Sequence, residues 1–227
     1  MLEQVDAVVA HAFYSPEVLR ERGWAKRVAR ADRRLAAGGF HHVHNRAVQR
    51  RPLFAGPADR LLFVATLREA LARHEVELLA WCLMPNHWHL LVRAATVPAL
   101  PAFMRWLTLA HSRRWQAMHG EVGLGTLYQG RYRSHPVDGD GHLLTVARYI
   151  ERNPVGAGLV ERAADWPWSS TGERRHGRGG LLAPLPVPLP ADWEAWLDRP
   201  ETPTEIAVAQ RRRGRPPTGE RQGVNAR

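Results

Sequence analysis

Two histidines two residues apart, His87 and His89, bracket Trp88 in a stretch of strand-like composition. On a β-strand, residues i and i+2 project from the same face, so both imidazoles point one way and Trp88 the other. Two imidazoles on one rigid face make half a site for a divalent metal ion, although the same pattern also fits an ordinary polar strand face. A second pair, Tyr149 and Asn153, stands four residues apart in a stretch of helical period. Spacing of i and i+4 puts a phenol, a potential nucleophile, and a carboxamide on one helix face. A core tyrosine followed by a capping asparagine before Pro154 has the same spacing.

Arginines gather around both pairs. Arg46, Arg50 and Arg51 follow the first strand, Arg131 and Arg133 flank Tyr132, and Arg148 and Arg152 lie beside Tyr149. Guanidinium forks match phosphate oxygens bidentately, and neighbouring aromatics can stack on unpaired bases. Near the C-terminus, Arg213-Gly214-Arg215-Pro216 resembles the core of an AT-hook, thin enough to lie in a narrow minor groove. These nine arginines are the candidate nucleic-acid contacts.

The elements that must position these groups alternate between two periods. Strands are expected at Phe40–Ala47, Val76–Met84, His87–Arg93 and around Tyr132–Val137, with Met84-Pro85-Asn86 turning the second into the third as a hairpin. Helices are expected at Ala58–His74, Pro98–His119 and from about Gly139 to Arg152, the last stopped by Pro154 because the residue before a proline avoids the α region. The order β-α-β-β-α-β predicts an α+β fold of the ferredoxin-like, split βαβ kind, an antiparallel sheet with helices on one face, plus a C-terminal extension. The organisation reads as an N-terminal extension (1–36), a compact domain (37–170), a Pro/Gly-rich linker with a short helix around Trp193 and Trp196 (171–210), and a basic tail (211–227). Trp166, Trp168, Trp193 and Trp196 read as packing residues.

Composition narrows the partner. The 227 residues carry 32 Lys+Arg against 22 Asp+Glu, a formal charge of +10, and every cation except Lys26 is arginine. The compact domain holds fifteen cations and ten anions, and the last seventeen residues hold six arginines against Glu220. Such an excess points to a polyanion. One cysteine, Cys82, excludes an internal disulfide and argues for a reducing compartment. No apolar run approaches the ~20 residues that span a bilayer, and the N-terminus lacks a signal-peptide layout, so no membrane partner and a cytoplasmic, nucleoid-associated location are expected. Walker loop, dinucleotide glycine fingerprint, Cys-x-x-Cys and His-Glu-x-x-His motifs are absent.

Taken together, the blocks resemble a family. Cys82-Leu83-Met84-Pro85-Asn86-His87-Trp88-His89-Leu90-Leu91 resembles the signature of the HUH single-tyrosine transposases. Four further blocks, in order along the chain, resemble the REP-associated tyrosine transposases. They are His42-Val43-His44-Asn45-Arg46, Tyr128-Gln129-Gly130-Arg131-Tyr132, the run Tyr149 to Val160, and Trp166-Pro167-Trp168-Ser169-Ser170. The resemblance spans roughly residues 37–170. It implies a nuclease acting on single-stranded, hairpin-bearing DNA, with Tyr149 as nucleophile and His87, His89 and Asn153 as ligands of Mg²⁺ or Mn²⁺. It also implies a 5′-phosphotyrosine intermediate, cleavage followed by rejoining, and, from the family's dimers, a homodimer sharing its tyrosines. Gly156 stands where many relatives carry arginine, and His42 where relatives often carry tyrosine. Two rival readings keep the same residues: a domesticated binder of structured nucleic acid with little or no cleavage, and a metal phosphodiesterase that uses water in place of Tyr149.

Overall fold

The computed structural model describes residues 38–176 and 180–209. Four strands form one sheet: β1 (Gly39–Arg46), β2 (Val76–Met84), β3 (His87–Ala94) and β4 (Arg133–Val137), in the order β2-β3-β1-β4 with every pairing antiparallel. Helix α1 (Pro57–Arg73) joins β1 to β2, and α2 (Ala99–His119) joins β3 to β4. This is the split βαβ arrangement. The two crossover helices share one face of the sheet, as expected, and the helix that follows β4 takes the other.

Period-2 alternation divides each strand between the faces. On β3, Trp88, Leu90 and Val92 enter the core beneath α1 and α2, with Phe63, Leu67, Phe103 and Leu107 opposite them. Each such fully buried side chain stabilises the fold by roughly 1.5–3 kcal/mol. His87, His89 and Leu91 therefore face the other way. On β2 the alternation changes phase. A register shift between Leu78 and Ala80 sends Leu79, Ala80 and Cys82 to the second face while Leu78, Trp81 and Leu83 stay on the first. A bulge of this kind lets one strand serve two cores without a break. The turn between β2 and β3 is Pro85-Asn86, with Met84 and His87 paired across it.

The helix ends follow local chemistry. Pro57 sits in the first turn of α1, where its missing N–H costs nothing, and Asp59 accepts from the Gly56 N–H at 3.1 Å. The other oxygen of Asp59 meets His119 Nε2 at 2.7 Å, tying the start of α1 to the end of α2. Helix α2 stops at Gly120, whose φ of 67° is left-handed and favours glycine.

The second face is covered by α3 (Asp140–Gly156), with Leu143, Val146, Ala147 and Ile150 turned inward. Proline does not stop this helix at Arg152. Pro154 is buried and the helix runs on to Gly156. A proline so near the end forfeits only the hydrogen bond to the Ile150 carbonyl, and its burial favours the helical path. Asn153, for which capping was the alternative to metal ligation, lies inside the helix and donates from Nδ2 to the Tyr149 carbonyl at 2.8 Å.

The segment read as a linker is packed instead of free. After α4 (Ser170–His176), Leu182 bridges to Leu78 on the β2 edge and Ala183 N–H donates to the Leu78 carbonyl. Residues 184–190 hold no helix or strand, as their prolines dictate. Helices α5 (Trp193–Asp198) and α6 (Pro203–Ala209) then pack on α3. Trp193 is buried against the second core, and Trp166 donates to the Leu83 carbonyl at 3.0 Å. The N-terminal extension and the basic tail lie outside the described residues.

Candidate active site

Three strands and one helix meet around a cavity of about 820 Å³ on the second face. His87 and His89 reach it from β3, His42, His44 and Arg46 from β1, Arg133 and His135 from β4, and Tyr149 and Asn153 from α3. Pairing makes the cluster. His44 lies opposite His89 across the β1–β3 ladder, and His42 lies opposite His135 across the β1–β4 ladder. Directly opposed side chains in antiparallel strands are ~4.5–5.5 Å apart at Cβ. The rings accordingly stand at centroid distances of 5.3 Å for His44–His89, 5.1 Å for His42–His89 and 5.0 Å for His87–His89. Tyr149 presents its ring edgewise to His42 and His89, both at 5.8 Å.

Burial keeps these imidazoles neutral. Desolvation first, then the neighbouring Arg46 and His44, pushes His87 down to about 4. His42 is pushed down to about 3 by burial and by His44 and His135, with the Ala209 carbonyl pulling in the opposite direction. His89 falls well below the ordinary histidine value, again chiefly through burial and secondly through His42. Neutral imidazole is the form that donates a lone pair to a metal ion.

The hydrogen bonds orient the same rings. His87 Nδ1 is 2.7 Å from Asn86 Oδ1, which as an acceptor requires the proton on Nδ1 and leaves Nε2 with its lone pair. His89 Nδ1 is 2.9 Å from His42 Nε2. Holding one ring nitrogen in a hydrogen bond is how metal-bound histidines are usually set. Asn153 commits its amide nitrogen to the Tyr149 carbonyl, so its oxygen is the atom left to turn into the cavity it lines. His87, His89 and Asn153 together offer two imidazoles and a carboxamide oxygen, a donor set able to take a divalent ion. Among the described residues, no three His, Cys, Asp or Glu side chains converge as a metal site by themselves.

The arginines divide. Arg46, Arg131 and Arg133 line the cavity and form no ion pair among the described residues. Arg148 and Arg152 do not belong with them, although their neighbour Tyr149 does. A helix turns about 100° per residue, so Arg148 points off the tyrosine's face. It is buried, donating to the Trp196 carbonyl at 3.0 Å, the Arg199 carbonyl at 2.7 Å and Glu205 at 2.7 Å. Arg152 donates to the Arg199 carbonyl at 2.7 Å and pairs with Glu201. Both bolt the C-terminal segment to α3, Arg148 with all three of its guanidinium nitrogens and Arg152 with two. Arg51 is likewise engaged, with Glu121 at 2.7 Å and over the Trp115 ring. Arg50 lies outside the cavity, in a left-handed conformation (φ 57°). Arg213 and Arg215 fall outside the described residues.

Sequence reasoning missed His42, His44 and His135 as site residues, as well as Glu201 and Ile206, which close the cavity from the C-terminal segment. The i, i+2 spacing of His42 and His44 repeats that of His87 and His89 and was the available signal. Nothing local could have placed Glu201.

Residues 40–153 match the family model described as "Transposase IS200 like". A Haemophilus influenzae protein named as a REP-associated tyrosine transposase is 28% identical over 117 residues, which cover 48% of this chain and 66% of that protein. Among solved structures, a REP-associated tyrosine transposase bound to a REP hairpin superposes with a TM-score of 0.56 at 22% identity, covering 69% of this chain and 88% of the other. That likeness carries the fold: an open four-stranded antiparallel sheet with helices packed on it. Among the described residues, no helix is long and apolar enough to cross a membrane. The chain belongs to the IS200-like transposase family, and its likeness within that family is to the REP-associated tyrosine transposases.

Proposed function

We propose that this protein cleaves and rejoins single-stranded, hairpin-bearing DNA through a covalent phosphotyrosine. The observation that carries the reading is the single cavity in which Tyr149, neutral His87 and His89, and Asn153 stand together, with Arg46, Arg131 and Arg133 unpaired by any acid among the described residues. The H. influenzae relative's name and the hairpin in the solved neighbour point to the same substrate class.

The arginines hold the backbone phosphates and bring one phosphorus within reach of the Tyr149 oxygen. A free phenol has a pKa near ~10 and must lose its proton as it attacks. That proton passes to solvent in the cavity, because His87 and His89, kept weakly basic by burial, would give their lone pairs to the metal ion. Attack forms a Tyr149–O–P bond and breaks the P–O3′ bond. The departing oxygen takes up a proton to become a 3′-hydroxyl, and the 5′ phosphate stays on the tyrosine. Attack by a 3′-hydroxyl on that link reverses the exchange and joins strands without an external energy source. Held by His87, His89 and Asn153, Mg²⁺ or Mn²⁺ would supply Lewis-acid polarisation of the phosphate. All four groups come from one chain, so the reading requires no second subunit to lend a tyrosine.

The test is a denaturing gel of the protein mixed with end-labelled hairpin DNA and Mn²⁺. A slow-migrating adduct that disappears in Tyr149→Phe is expected. Binding without product in any metal would sink the reading in favour of a domesticated binder. Cleavage that survives Tyr149→Phe would favour a hydrolase using water. Mixing Tyr149→Phe with His89→Ala protein should restore no adduct; restoration would show a tyrosine shared between subunits.

A further inference from the structure

A second cavity of about 860 Å³ lies between α2 and the segment 125–132, and it shares Asn45, Gly130 and Arg131 with the histidine cavity. Asn45 falls between His44 and Arg46 on β1, so the two hollows open on opposite faces of the sheet. They meet at the short segment before the β4 edge.

This ridge is built firmly. Val48 N–H donates to the Leu127 carbonyl at 2.9 Å, Gln129 N–H to the Arg46 carbonyl at 3.0 Å, and Asn45 Nδ2 to the Gly130 carbonyl at 3.2 Å. Tyr128, between them, is anchored in the core by Trp88 and His111. At the crest, a Cβ added to Gly130 would meet nothing within 4 Å. The surface there is open, and a chain can cross it.

The lining has the chemistry of one kind of occupant. Leu109 supplies exposed apolar wall with Met104 and Tyr132 buried behind it, Ser112 a hydroxyl, and Arg105 and Arg131 cations at the mouth. Neither arginine forms an ion pair among the described residues. Leu109 is half exposed, a large apolar side chain left to water. An unpaired nucleotide is a flat, largely apolar ring with polar edges, carried on an anionic phosphate. Grooves that hold single strands combine these same features, a cationic track beside surfaces on which bases stack.

We propose that this second cavity seats an unpaired base of the same DNA strand whose backbone lies in the histidine cavity, with the strand crossing at Gly130 and Arg131 serving both sides. The inference rests on the proposed cleavage of single-stranded DNA. It assigns the α2 side of the molecule a part in choosing which nucleotide lies beside the scissile phosphate.

The single cysteine makes a clean test. Cys82 is buried, and burial pushes its thiol well above the ordinary range, so Ser112→Cys introduces one reactive sulfur at the cavity. Hairpin oligonucleotides are prepared, each with a disulfide-forming tether on one base, either at successive unpaired positions beside the stem or within it. Cross-linking is expected to peak at one or two adjacent unpaired positions. Leu109→Asp, at an exposed site that the fold tolerates, should weaken binding of hairpins with unpaired flanks about tenfold, the scale of one lost base contact, and leave a bare stem unaffected. Equal cross-linking at every position, or an unchanged affinity in Leu109→Asp, with binding of the flanked hairpin intact, would overturn the inference. If the unaltered protein does not bind flanked hairpins at all, the proposed function fails instead.

Discussion

Strand β3 separates two buried clusters of polar aromatic groups, and they are treated in opposite ways. Beneath α1 and α2, Trp88 Nε1 donates to the Tyr128 hydroxyl at 3.0 Å and that hydroxyl meets His111 Nδ1 at 2.7 Å, with Phe54 and Phe63 packed around the imidazole. Trp88 and His111 line neither cavity, and only Tyr128 borders the second one. One residue along the strand, His89 belongs to a cluster of rings with a cavity in front of them. Both imidazoles are neutralised by the same cause, burial. What differs is where the remaining nitrogens point. In the first cluster the polar atoms are used up in fixing the core, or, like His111 Nε2, left without a hydrogen bond. In the second, His87 and His89 are each held at Nδ1 and line the cavity, although His42 Nδ1 is, like His111 Nε2, buried without a hydrogen bond. A depressed histidine pKa therefore does not identify a site; an imidazole that is oriented and still has an accessible lone pair does.

The largest effect expected from this contrast is a swap of consequences. His89→Ala should lower adduct formation by at least about a hundredfold, the scale of disturbing a metal's surroundings, with little loss of stability. His111→Ala should do the reverse, losing roughly 3 kcal/mol by denaturant unfolding while each folded molecule keeps its activity. A folded but inactive His111→Ala protein would break the distinction between the clusters.

Next in size is Arg148. Its guanidinium is buried among the main-chain carbonyls of Trp196, Arg199 and Pro200, Glu205 and the Trp196 ring, at 4.9 Å from the ring centre. Arg148→Ala leaves those carbonyls without donors, while Glu205, being partly exposed, can regain water. A loss of about 3 kcal/mol is expected, at the low end for breaking a buried pair. Faster proteolysis within 190–209 should accompany it. Loss of DNA affinity with no change in stability would return Arg148 to the binding surface.

His111 shares the pH response with His42, His87 and His89, whose values burial also depresses. Its folded value is pushed down to about 3, mainly by burial, against ~6.5 when unfolded. Between these values the unfolded chain binds a proton that the folded chain does not, so stability is full above about pH 6.5 and falls on acidification. At pH 5 this one group accounts for roughly 2 kcal/mol. His111→Gln should flatten the fall in melting temperature between pH 7 and 5. An unchanged slope would mean that other groups carry the acid sensitivity.

Much of the second cluster was legible before any fold was known, and its gaps have physical causes. Strand alternation is local, so Trp88 inward and His87 and His89 together could be read directly, as could the Pro85-Asn86 turn. The i, i+4 relation of Tyr149 and Asn153 is equally local. The remaining histidines became neighbours only through strand pairing, which depends on register between segments some fifty to ninety residues apart. Arg148 and Arg152 misled for a related reason. Beside the tyrosine in sequence they look like phosphate contacts, but their partners lie in a segment about fifty residues later. Pro154 was misjudged because a preference against the helix was weighed without the burial that overrides it.

Arg131 gives the smallest effect and the finest resolution. It is exposed and lines both cavities, and no acid among the described residues pairs with it. Its charge is thus free to displace a counterion from single-stranded DNA. Each such displacement contributes about 0.7 to the slope of log affinity against log salt. Arg131→Ala should reduce that slope by about this amount and weaken binding a few-fold at low salt. Arg152→Ala, whose guanidinium is committed to the Arg199 carbonyl and Glu201, should leave the slope unchanged. Equal slopes for both variants would mean that ion pairing inside the fold does not decide which arginines meet DNA. A difference confined to Arg131→Ala would place the strand across the ridge between the two faces.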